Sequence, residues 1–416
     1  MSTVDTEWDA RRERKRDQRS ERVIAEFRQR PSVRRLSRPM IEGGSRRFEL
    51  TYVREGSRGA TPLLILPGGP GLASVLPYHR QRTLAARREF DVIMVEHRGI
   101  GLSRHDEHGH DLPFGALTVD AAADDLAAVL DDCDIDRAVV FGSSYGAYLA
   151  QTFGAKHPER VAGMVLDSTY STVSDFAVAR DEVRRLLWHG DDPATACVAA
   201  KLRELVDSGV IPVEETGSVI PVFYELGGPA LVDRLLDAVA AGRWGPWRWM
   251  HRVADEELGK PSRYVLELDL VSAMNYRELY DLEPDGLPLD QAVAFAKHAK
   301  GFPAFEGEPR CLLSALEDFS WPTAVLTAER DLRTVRPVAE RTARLLPDGV
   351  LVPFRDMPHS VLDNHPVAAL NAARGVALGR HHRLPAMAPK LASLPSRSAR
   401  SLLGLGLRTW LTVARP

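Results

Sequence analysis

Gly142-Ser143-Ser144-Tyr145-Gly146 flanks a serine with glycines two residues to either side. This spelling suits a nucleophile on a sharp strand-to-helix turn, where flanking side chains would meet the neighbouring strand and helix. A serine hydroxyl is a weak nucleophile at neutral pH. It needs a histidine to take its proton and a carboxylate to orient that histidine. In chains with this turn the three follow in the order Ser, Asp, His, which directs the search downstream of Ser144. Asp331 closes Thr327-Ala-Glu-Arg-Asp331, directly after an apolar run. It therefore falls in the loop past a strand's carboxyl end, the edge where α/β sheets build their sites. Glu329 is the alternate acid. His359 closes Asp356-Met-Pro-His359 after the last such run, and His365, before Pro366, is the alternate base, placed where a closing helix begins.

Acyl transfer through such a serine also needs two backbone N–H groups aimed at the oxygen of the tetrahedral intermediate. Tyr145, next after the serine, supplies one. The other comes from Gly69, or Gly68, in Pro67-Gly-Gly-Pro-Gly71, a loop whose glycines let backbone approach substrate. Cys133, Cys197 and Cys311 lie far apart and match no metal-ligand spacing. No metal and no cofactor are expected, and the thiols read as reduced and mostly buried, in the cytoplasm.

The elements that must position these residues read as α/β. Arg47-Phe-Glu-Leu-Thr-Tyr-Val53 alternates, and Pro62–Leu66, Asp91–Val95, Ala138–Phe141 and Ala162–Leu166 are continuous apolar runs, as strands covered on both faces are. Helical patterns over Thr118–Asp131 and Tyr145–His157 alternate with them, which implies a mostly parallel sheet. The strand rhythm stops near Ser171 and resumes with Pro322–Thr327 and Gly349–Phe354. The expected organisation is a charged N-terminal extension (1–47), a first core segment (48–174), a helical insertion (175–315), a second core segment (316–379) and a basic C-terminal tail (380–416).

The 416 residues are 44% hydrophobic and 27% charged, ample for a large core. Residues 1–47 carry 14 Lys and Arg against 8 Asp and Glu, and residues 380–416 carry 7 against none. The body between has 33 against 49, a net −16. An acidic body fits poorly with nucleic-acid binding, so no nucleic-acid partner is expected, and the basic tail could make a weak contact with an anionic surface. The charged N-terminal segment has no apolar leader, and no run of 18 apolar residues exists to cross a membrane. The oligomeric state is left open.

Pro67-Gly-Gly-Pro-Gly71, Glu96-His-Arg-Gly-Ile-Gly-Leu-Ser103 and Gly142-Ser-Ser-Tyr-Gly146, in this order and spacing, resemble the signatures of the proline iminopeptidase and tripeptidyl aminopeptidase branch of the α/β-hydrolase fold. The resemblance covers roughly residues 48–170 and 316–375. Pro67 stands where the family usually has His, and Glu96-His97 where it usually has Asp-Gln. The resemblance implies a helical cap, inserted after the sixth strand, that roofs the site and admits small substrates. It also implies acidic cap residues that hold a substrate's α-amino group, for which Glu278, in Ala273-Met-Asn-Tyr-Arg-Glu278, is the candidate. Trp244, Trp247 and Trp249 could line an apolar pocket or pack the cap onto the sheet, and Arg98 and Ser103 would brace the loop beneath the site.

The expected activity is that of a serine hydrolase, an aminopeptidase releasing N-terminal residues from short peptides. The alternatives are hydrolysis of an ester, lactone or amide without a free amine, and a noncatalytic ligand-binding protein of the same fold. Epoxide hydrolases and dehalogenases need an aspartate nucleophile, which Ser144 is not.

Overall fold

The computed structural model describes residues 21–259, 261–396, 406–407 and 410–411. Residues 1–20 of the charged extension, and most of the tail beyond 396, lie outside them. Eight strands form one sheet in the order β1-β2-β4-β3-β5-β6-β7-β8. They are β1 (Val33–Pro39), β2 (Arg47–Gly56), β3 (Thr61–Leu66), β4 (Phe90–Val95), β5 (Ala138–Ser143), β6 (Val161–Asp167), β7 (Thr323–Ala328) and β8 (Gly349–Phe354). β2 pairs antiparallel with β1 and β4, and the remaining pairs are parallel.

The continuous apolar runs have the cause expected of them, since both faces are covered. Leu64, Leu66, Val140, Leu166 and Val325 face one side, packed with α2 (Val119–Asp132), α3 (Tyr145–Lys156) and α4 (Arg336–Leu345). Leu63, Ile65, Phe141, Val165 and Leu326 face the other, beneath α1 (His79–Ala86), α5 (Pro366–Ala377) and α6 (Leu384–Ala392). Two boundaries differ from the sequence expectation. Val33–Pro39, placed in the extension, is a sheet strand, its three arginines having hidden the pattern. Leu384, Ala388 and Leu391 of the tail are buried in the sheet's core.

Between β6 and β7 the chain is helical and builds a core of its own around Val183, Leu202, Phe223, Leu235 and Trp247. Trp247 is fully buried there, with Nε1 donating to Glu215 at 2.6 Å. Trp244 and Trp249 pack against the same cluster. The tryptophans thus hold the cap's helices together, in place of either role expected for them. Leu407 and Leu411 are buried in that cluster too. Cys197 and Cys311 are exposed and only Cys133 is buried, against the expectation of mostly buried thiols. Among the described residues no helix is long and apolar enough to cross a membrane.

Candidate active site

Ser144 stands between β5 and α3 with φ 55° and ψ −122°. For a residue with a Cβ such backbone costs about 1–3 kcal/mol and persists only where its surroundings fix it. Here the Ser144 N–H donates to the Asp167 carbonyl at 2.9 Å, and its carbonyl accepts from Ala147 N–H at 2.8 Å. A Cβ on Gly142 would lie 2.1 Å from the Gly146 carbonyl oxygen, and one on Gly146 would lie 2.1 Å from that of Leu66. Both flanking positions therefore require glycine, one because of the helix and one because of β3.

His359 follows β8, and Asp331 follows β7. The His359 Nδ1 lies 2.9 and 3.0 Å from the two Asp331 carboxylate oxygens. An ionised carboxylate can only accept, so Nδ1 carries the proton and the imidazole lone pair is on Nε2. Asp331 also accepts from the Arg333 and Thr334 N–H groups and from Thr334 Oγ1. Burial by itself raises this carboxyl, but the His359 ring beside it and these hydrogen bonds outweigh it and hold the group at about 2. The alternates are engaged elsewhere. Glu329 accepts from Asp356 N–H, and His365 accepts from Ala368 N–H, as a helix cap, while bonded to the Leu394 carbonyl.

The glycine loop lies directly on Ser144. A Cβ on Gly68 would stand 3.2 Å from that of Ser144, a tight approach that bare backbone avoids. Gly69, at φ 122°, would place a Cβ 2.3 Å from Gly71 N. The loop is held from two sides. Gly71 carbonyl accepts from Glu267 N–H of the cap, and the buried Glu96 accepts from Ser74 and Val75 N–H at 2.5 and 3.0 Å. Burial pushes Glu96 up to about 7 against the pull of those N–H groups. Tyr145, first residue of α3, has no carbonyl four residues back for its N–H within the helix. Its hydroxyl donates to His97 Nε2 at 2.8 Å, because His97 Nδ1–H is used on the Arg98 carbonyl. Burial keeps that imidazole neutral, down to about 4. Arg98 clamps Asp125 with two hydrogen bonds and Ser103 Oγ accepts from Thr51 N–H, the bracing expected of them.

Asp167, at the end of β6, was not singled out from the sequence. Its carboxylate accepts from Ser143 Oγ and from the Val361 and Leu362 N–H groups at 2.9–3.0 Å, and burial pushes it up to about 6. The signal was available, since an acid directly past an apolar run is what picked out Asp331. Glu96 and His97 could not have been assigned partners from spacing, because those lie on other loops.

Glu278 is buried, and its carboxylate is fully engaged. Oε2 accepts from Val119 N–H at the start of α2, and Oε1 pairs with Arg277 at 2.6 Å. Arg277 in turn donates to the Phe114 and Leu117 carbonyls. The geometry therefore makes Glu278 a tie between cap and core. A second cap-side acid, Glu308, accepts from Thr172 Oγ1 and Val173 N–H, and burial raises it.

Residues 61–189 match the alpha/beta hydrolase fold family. The chain is 24% identical over 326 residues to a protein of Leptolyngbya boryana named "Probable proline iminopeptidase", covering 77% of this chain and 87% of that one. It is 31% identical over 118 residues to the proline iminopeptidase of Neisseria meningitidis, covering 28% and 36%. Among solved structures, that of VinJ aligns with a TM-score of 0.50 at 17% identity, over 84% of this chain and 99% of that one.

Proposed function

The chain has the α/β-hydrolase fold, and from that premise we propose that it is a cytoplasmic serine hydrolase acting through an acyl-enzyme. Ser144 attacks the substrate carbonyl while His359 takes its proton, and Asp331 keeps the imidazole in the tautomer that can accept it. The N–H of Tyr145 and that of Gly68 or Gly69 hold the oxyanion. His359 then protonates the leaving group, and water repeats the sequence on the ester. The observation that carries this reading is the His359–Asp331 pair on the loops past β8 and β7, at the sheet edge where the strained Ser144 follows β5.

For substrate we propose a short peptide with a free N-terminus, an aminopeptidase reading supported by the similarity over most of the Leptolyngbya relative. One observation favours a second reading, an ester, lactone or amide without a free amine. The Glu278 carboxylate is already taken up by Arg277 and Val119. Labelling with a fluorophosphonate, with mass spectrometry of the modified peptide, tests the chemistry, and modification at Ser144 is expected. Absence of labelling in folded protein would leave a noncatalytic fold. A series of peptides with free and acetylated N-termini, set against simple esters, separates the two substrate readings.

A further inference from the structure

Asp348 precedes β8, at the edge of the sheet opposite Ser144, Asp331 and His359. Its Oδ1 lies 2.9 Å from His381 Nε2 and 2.9 Å from His382 Nε2. The three atoms lie within 4.8 Å of one another. An ion about 2.1 Å from both atoms of a 2.9 Å pair would subtend about 90° there, and about 0.5 Å of opening would bring the pair to tetrahedral. His381 is buried and fixed, while the His382 side chain is 65% exposed and can supply that movement. Two imidazoles and a carboxylate suit zinc-class divalent ions, with positions left for water.

We propose that Asp348, His381 and His382 form a binding site for a divalent transition-metal ion. Each imidazole can present one nitrogen lone pair to the ion. The ion would join the loop before β8 to the turn that leads into α6, whose Leu384, Ala388 and Leu391 pack against the sheet. It would fasten a structural element and take no part in the chemistry at Ser144. His381 Nδ1 is buried without a hydrogen-bond partner among the described residues. Loss of such an outer bond typically weakens a metal site about 10–100-fold, so this site is expected to bind more weakly than one whose histidines are both held from behind.

The test is titration of metal-stripped full-length protein with Zn2+ against a chromogenic chelator. One equivalent is expected to bind saturably. His382→Ala, at a position whose side chain is exposed, and Asp348→Asn each remove one protein ligand and should each weaken it roughly tenfold or more. His108→Ala, in the other histidine-rich segment at residues 105–110, should leave it unchanged. The proposal is overturned by absence of saturable binding in the wild type, by equal binding in His382→Ala, or by a loss confined to His108→Ala.

Discussion

Ser143 Oγ and Ser360 Oγ are hydrogen-bonded at 2.9 Å, so the residue before Ser144 touches the residue after His359. Asp167 completes the junction. The Ser143 hydroxyl also bonds its carboxylate, which takes the N–H groups of Val361 and Leu362 as well. Ser144 and His359 sit on loops more than two hundred positions apart in the chain, and this buried polar cluster ties those loops together. A shift of about 1 Å between reacting groups can cost a factor of 100 in rate.

Asp167→Asn should therefore lower kcat about 10- to 100-fold with little change in KM. The amide turns one acceptor into a donor facing a backbone N–H, a loss of about 1–3 kcal/mol in stability. Steady-state kinetics on an ester substrate, with thermal unfolding alongside, checks both. A kcat equal to wild type would show that the cluster does not control the geometry.

Ser144→Ala should reduce kcat by roughly 10⁴ to 10⁶, and Asp331→Asn by roughly 10⁴ through the wrong histidine tautomer. Glu329→Gln and His365→Asn should keep nearly full activity, because Glu329 faces Asp356 and His365 caps a helix. Activity surviving in His359→Ala would overturn the choice of base.

The sheet and the loops that carry Asp331 and His359 were legible because their signals are local. An apolar run covered on both faces ends in a polar residue at the carboxyl edge, and both Asp331 and His359 follow that rule. β1 was missed because Arg34, Arg35 and Arg38 break its apolar pattern on an edge strand. Burial of Leu384 and Leu391, and of the cap tryptophans, depends on which surface the chain returns to. No periodicity encodes that. Glu278 shows the same limit, since Val119 and Arg277 occupy its carboxylate and Val119 is far away in sequence.

Stability should rise from neutral pH to about 5. Glu96 is at about 7 when folded against an ordinary 4.5. Between those values the folded chain holds a proton that the unfolded chain has released, so stability falls as pH rises through the interval. Asp167, pushed to about 6, adds to that slope, while His97, lowered from 6.5 to about 4 by burial, opposes it below 6.5 and reduces it without cancelling both carboxyls. Asp331 has the opposite sign. Depressed from 3.8 to about 2, it stabilises above the unfolded value and is lost as pH falls through that range. Glu96→Gln should flatten the slope between pH 5 and 8 in a series of Tm measurements, and an unchanged slope would remove Glu96 from the account.

A chain ending at residue 396 loses Leu407 and Leu411 from the cap's core, at about 1.5–3 kcal/mol for each buried leucine. Its Tm should fall while kcat stays within a few-fold of wild type. A chain ending at Leu378 loses α6 as well, uncovering Val352 and Phe354 of β8, and should not fold. Equal Tm values for all three chains would show that the tail contributes nothing to packing.

Glu278→Gln separates the substrate readings. If the carboxylate held a substrate ammonium, its removal would leave a desolvated charge unpaired, at about 2–5 kcal/mol. That is a loss of about 30-fold or more in kcat/KM, felt only by free-amine peptides. The hydrogen bonds point elsewhere. Oε2 satisfies the first N–H of α2, and Oε1 neutralises Arg277, whose guanidinium holds the Phe114 and Leu117 carbonyls. Glutamine cannot serve both, since its amide nitrogen would face either the Val119 N–H or the Arg277 guanidinium. The expected outcome is a lower Tm and similar losses on a free-amine peptide and an N-blocked ester. A loss confined to the free-amine peptide would give Glu278 back its role as an amine anchor and favour the aminopeptidase over the esterase.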